Sequence, residues 1–131
     1  MNPEALDFWR RALQAHETAS RLVTEDPDAA ASRAYYAAFY AVSALFALQG
    51  KAFKKHRAIE AAVHRELVNS GTWAEDLGAA FSWLVRARNT GDYGRGMHVS
   101  TDEAQEAVDR AAHILQAVRE SSPEPFPNEE S

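Results

Sequence analysis

The chain of 131 residues has no cysteine, which excludes disulfides and thiolate-bound zinc but leaves the redox compartment open. No apolar run approaches the roughly 18 residues that a membrane span needs. Glycine and proline are sparse and cluster: Gly91, Gly94 and Gly96 share one loop, and Pro123, Pro125 and Pro127 share the last ten residues. β-Branched residues are few beside alanine, leucine, glutamate and arginine, so the expected class is all-α. The opening Met1-Asn2-Pro3-Glu4 lacks the basic and apolar regions of a secretory leader, and a cytoplasmic protein is expected.

The formal charge is −5, which argues against indiscriminate nucleic-acid binding. It is unevenly spread. Glu124, Glu129 and Glu130 sit in the last ten residues without a base, whereas Lys51, Lys54, Lys55 and Arg57 bunch within seven positions. A local basic surface on an acidic protein is compatible with this pattern.

Five helices follow from caps and apolar periodicity. Asn2 with Pro3 is a favoured helix start, and the stripe behind it reads Leu6, Trp9, Leu13, His16, Ser20 and Val23. A second helix starts at Asp26-Pro27 and ends at Gly50, with Tyr35, Phe39, Val42 and Phe46 inward. Tyr36, Tyr40 and Ala47 widen its apolar face, which makes it the expected central helix. The third runs from about Lys54 to Ser70, with Ile59, Val63 and Leu67 inward. Thr72 and Glu75 have the spacing of a capping box for a fourth helix ending at Asn89 to Gly91, and Ser100 and Glu103 repeat it for a fifth. Short connections make successive helices antiparallel. The expected architecture is therefore an up-and-down four-helix bundle plus an additional helix over residues 1–121, with 122–131 a disordered acidic tail.

The pattern Leu77, Phe81, Leu84 places Arg88 next on a core-facing stripe, where a guanidinium needs an anionic partner. That partner can be a carboxylate, a second subunit or a phosphate. Arg33 lies three before Tyr36 and could hold Asp92; the aromatic run around it reads as core packing with phenols at the rim. Lys54, Lys55, His56 and Arg57 read either as a solvated loop or as a phosphate cradle at a helix start. His16 reads as a buried, hydrogen-bonded histidine, and His64 and His113 as surface residues. No histidine or carboxylate pair has metal-ligand spacing, and the glycine loop follows no strand, so neither a metal nor a nucleotide cofactor is expected.

Three segments together, Ser32-Arg33-Ala34-Tyr35-Tyr36-Ala37-Ala38-Phe39, Lys55-His56 and Arg88-x-x-x-Asp92-Tyr93-Gly94, resemble the HEPN superfamily, the higher eukaryote and prokaryote nucleotide-binding domain. The likeness is to its small stand-alone prokaryotic branch and spans roughly residues 5 to 120. It implies a helical bundle, usually homodimeric, often encoded beside a minimal nucleotidyltransferase as a toxin–antitoxin or defence pair. Many members are metal-independent ribonucleases with an arginine followed four to six residues later by a histidine. In some, a tyrosine near that arginine is nucleotidylated.

Arg88 matches the family arginine, but Asp92 stands where the histidine would be sought, and the next histidine is His98. An aspartate is a weak base and holds no proton to donate near neutral pH. The resemblance thus implies two readings. In one, the chain binds or cleaves RNA through Arg88, Asp92 and His98, with Lys55, His56, Arg57 and Arg95 along the approach. In the other, Arg88, Asp92 and Tyr93 organise a dimer interface or dock a nucleotidyltransferase, with Arg33, Tyr36 and Tyr40 as structural or interface residues beside them.

Overall fold

Asn2 opens the first helix by accepting, at Oδ1, the amides of Glu4 at 2.9 Å and Ala5 at 3.3 Å. In the computed structural model, which describes residues 1–53 and 55–127, this helix, α1, spans Pro3–Leu22. Asp26 caps α2, Pro27–Leu48, through the amide of Ala29. After a loop come α3, His56–Ala62, and a π-helical stretch, Val63–Val68. Glu75–Tyr93 forms α4 and Thr101–Ser121 forms α5. Among the described residues there is no strand, and the chain is an all-α helical bundle.

α2 is the centre of the bundle and touches all four other helices. Its buried face is built on alanines (Ala30, Ala34, Ala37, Ala38, Ala41 and Ala44), which let neighbouring backbones come close. This shifts the inward stripe of α1. Ala5, Trp9, Ala12, Ala15 and Ala19 are buried, while Leu6, Leu13 and His16 are only half-buried and Ser20 is exposed. Small residues win the closest position because the partner surface is itself flat. The inward stripe expected for α5 (Ala104, Val108, Ala111, Leu115 and Val118) is buried throughout.

The Ser100 capping box forms in full, each partner bond being 3.0 Å. The one expected at Thr72 does not. Trp73 is buried, its amide bonds Leu67 O at 2.8 Å and its indole Nε1 bonds Ser121 Oγ at 3.0 Å. These ties hold Trp73 between the preceding π-helical stretch and the end of α5, so α4 starts only at Glu75, capped by Ala74 without a side-chain bond. At the other end α4 runs on to Tyr93. Gly91 lies inside it, against α2, where a Cβ would stand 2.6 Å from Asp28 O.

The third helix starts at His56, and the expected contribution of Lys54 lies outside the described residues. It passes into π-helical turns in which Asn69 N bonds His64 O at 2.9 Å. Ile59, Val63 and Leu67 face inward as their spacing predicts. His64 is half-buried, its Nε2 2.8 Å from Ser82 Oγ on α4, and is not the surface residue expected. Beyond α5, Phe126 is buried and stacks on Trp9 at 4.7 Å, while Trp9 Nε1 donates to Pro127 O at 2.7 Å. The expected disordered segment therefore packs on α1 as far as Pro127; residues 128–131 lie outside those described.

Candidate functional site

Because α4 continues through Gly91, Arg88 and Asp92 lie one helical turn apart on one face. Arg88 Nε stands 3.0 Å from Asp92 Oδ2, with side-chain exposures of 19 % and 29 %. The N–H is not aimed at that oxygen, so the contact is an ion pair that leaves the Nε proton without an acceptor. Nη2 donates to Tyr36 Oη at 3.2 Å and reaches Tyr93 Oη at 3.5 Å. The guanidinium also lies over the rings of Tyr93, Tyr35 and Tyr36, at 5.2, 5.7 and 5.7 Å. Burial opposes its charge, but Tyr36 first, then Tyr93 and Asp92, outweigh that and keep it firmly protonated.

Asp92 does not meet Arg33, as the sequence suggested it could. It accepts instead from Ser32 Oγ at 3.3 Å. Arg33 lies over Tyr36 at 5.0 Å, its Nε is buried without a hydrogen bond, and among the described residues no carboxylate is within 4 Å of it. Tyr36 is thus flanked by two guanidiniums and makes edge and tilted contacts with Tyr35, Phe39 and Tyr40.

His56 joins this cluster although its neighbours do not. Its Nδ1 is 3.1 Å from Tyr35 Oη, and its ring packs on Phe39 at 4.5 Å and edge-on to Tyr36 at 5.5 Å. Burial, and then the charge of Arg88, push its pKa below the ordinary histidine value, so it is neutral at pH 7. Burial likewise pushes the Tyr35 phenol up, and it stays protonated. Lys55 and Arg57 point the other way and line, with Arg65, an open depression of about 680 Å³ on the outer face of α3. Of the basic quartet read in the sequence, the described members therefore split into an inward imidazole, His56, and two outward cations, Lys55 and Arg57.

His98 is not folded onto Arg88. Its Nδ1 is 2.7 Å from Asp28 Oδ2, and the other oxygen of Asp28 accepts the Val99 amide at 2.7 Å. These two bonds, Val99 first, hold the Asp28 carboxyl below the usual range. The glycine loop is thereby pinned to the first turn of α2. Asp92, Tyr93, Arg95 and His98 line a shared open depression of about 500 Å³. Arg95 adopts φ 48°, a left-handed conformation costly for a residue with a Cβ, between Gly94 and Gly96. Sequence reasoning carried Ser32 only as the first residue of the α2 motif, without a partner, and missed Asp28 altogether. Their signal was only positional, one helical turn apart at the start of α2, and the partners they bind lie 60 and 70 residues away.

A HEPN domain profile matches residues 5–121. A UPF0332 protein of Thermotoga maritima is 34 % identical over 115 residues, covering 86 % of this chain and 87 % of that one. The crystal structure of TT1696 from Thermus thermophilus superposes with a TM-score of 0.77 over 92 % of this chain and 99 % of its own, at 24 % identity, and is alike in fold. The profile match over nearly the whole helical bundle and the relative at 34 % identity show that the chain belongs to the HEPN-domain family.

Proposed function

We propose that this HEPN protein acts on RNA as a homodimer, as the toxin-like or defence-associated member of a pair, with Arg88 as its phosphate anchor. The observation that carries the reading is the state of Arg88. It is a largely buried guanidinium whose Nε proton has no acceptor, and a neutral imidazole, His56, shares its aromatic cage. A phosphate oxygen would supply the in-line acceptor that Asp92 does not, in a planar geometry suited to guanidinium. Of the exposed cations, Arg95 shares a depression with Asp92 and Tyr93 beside this site, whereas Lys55 and Arg57 lie on the outer face of α3.

Cleavage in this reading needs no metal. The 2′-oxygen attacks the adjacent phosphorus, the bond to O5′ breaks, and the products are a 2′,3′-cyclic phosphate and a 5′-hydroxyl. A neutral imidazole takes the 2′-hydroxyl proton, and a proton is returned to O5′. His56 is the imidazole in contact with the Arg88 cage. His98, oriented by Asp28, is the second, and a partner copy could bring its own beside Arg88.

The second reading, an interaction module that docks a nucleotidyltransferase, is favoured by the rim of the site. Tyr93, which touches Arg88, and Met97, in the depression next to it, are 65 % and 71 % exposed, large apolar groups that a partner surface would cover. Incubating wild type and Arg88→Ala with single-stranded and structured RNAs in EDTA, followed by end-group analysis, separates the two. Arg88-dependent cutting that leaves a cyclic phosphate supports the nuclease. Absence of cutting by clean wild type transfers the site to the docking reading.

A further inference from the structure

Next to the Arg88 cage, on the far side of Tyr36, α1 and α2 enclose a depression of about 280 Å³ lined by Arg11, Gln14, Thr18, Arg33 and Tyr40. It approaches the lower end of pockets that hold small ligands, roughly 300–1,000 Å³. Its polar walls are rich in donors. Arg33 has a buried Nε without a partner and, among the described residues, no carboxylate within 4 Å. Arg11 is paired with Asp7 at 3.0 Å, but both are more than half exposed and such a pair is weak. Tyr40 stacks on Phe8 at 6.4 Å and leans on Tyr36 at 5.9 Å, so the two phenol rings run from this groove to Arg88.

We propose that this groove is the track along which a single strand of RNA reaches Arg88, with Arg33 on the phosphate beside the anchored one and Tyr40 as a stacking platform for a base. Alternation of cations with aromatic faces is how proteins hold single strands without reading sequence. A duplex could not present its bases to Tyr40. A second copy of this chain across a two-fold axis through the groove would set Arg33 and Arg11 against their own equivalents, which disfavours it as the occupant. The inference rests on the RNA reading of Arg88 and adds a path and a strand preference to it.

The test is binding of a labelled twelve-nucleotide oligouridine, and of a duplex of equal length, across a salt series. Arg33→Gln should weaken single-strand binding by about five- to tenfold and flatten the slope of log K against log salt by about 0.7, the loss of one phosphate contact. Tyr40→Leu should weaken single-strand binding about fivefold or more, leaving duplex binding unchanged, and Tyr40→Phe should behave as wild type. Arg33→Lys should keep the salt slope, and thermal melts of each variant separate binding from folding. If Arg33→Gln and Tyr40→Leu bind like wild type while Arg88→Ala does not, the track is wrong and the anchor stands. If wild type binds neither RNA, anchor and track fall together. If Arg33→Gln alters only sedimentation, the groove holds a second copy and the proposal is overturned.

Discussion

The charge of Arg88 constrains His56. The guanidinium is kept protonated by the phenols and carboxylate around it, and its field joins burial in holding His56 neutral. The pKa of His56 is lower in the folded chain than its ordinary 6.5, so between the two values the unfolded chain binds a proton that the folded one does not. The resulting stability is full above about pH 6.5 and is lost as the pH falls through the folded value. Thermal melts from pH 8 to 5 should therefore show wild type losing stability on acidification, and His56→Gln losing less. Equal losses in both would place the acid-sensitive group elsewhere. At this scale the sequence exposes residue types but not partners. Arg88 is visible because a cation interrupts the series Leu77, Phe81, Leu84. That Asp92 turns to Ser32 and not to Arg33 depends on how α2 and α4 are set side by side.

At the scale of elements, local patterns succeed where no tertiary contact competes. Ser100 and Glu103 form their capping box at the start of an open helix, whereas the same spacing at Thr72 and Glu75 is overridden by the buried ring of Trp73. The start of α2 at Asp26 and the inward residues of the third helix were legible for the same reason. The end of α4 was not. Gly91 reads as a stop signal, but glycine is there because α2 is close: a Cβ would meet the Asp28 carbonyl at 2.6 Å. Gly91→Ala must push α4 from the first two turns of α2, where Ser32 and Asp28 hold Asp92 and the glycine loop. A loss of about 1–3 kcal/mol in urea unfolding is expected, the cost of overpacking. An unchanged midpoint would mean that the helices part freely there.

On the whole-molecule scale, an acidic chain carries its cations unevenly. Lys55, Arg57 and Arg65 line one depression, Arg11 and Arg33 another, and Arg88 lies in an aromatic cage between α2 and α4. The bundle architecture and its central helix were legible from periodicity and caps. The packing of Phe126 on Trp9 was not, because a proline-rich acidic segment gives no local sign of the aromatic surface it covers. The site as a unit was legible only through family resemblance, since its members come from α2, α3 and α4 and from loops distant in sequence. The most direct measurement is the affinity of wild type, Arg88→Ala and Arg88→Lys for a single-stranded RNA at low and moderate salt. The account predicts a salt-dependent complex that Arg88→Ala weakens about tenfold or more and Arg88→Lys only partly restores, because lysine keeps the charge without the planar fork. Binding by Arg88→Ala as tight as that of wild type would contradict it.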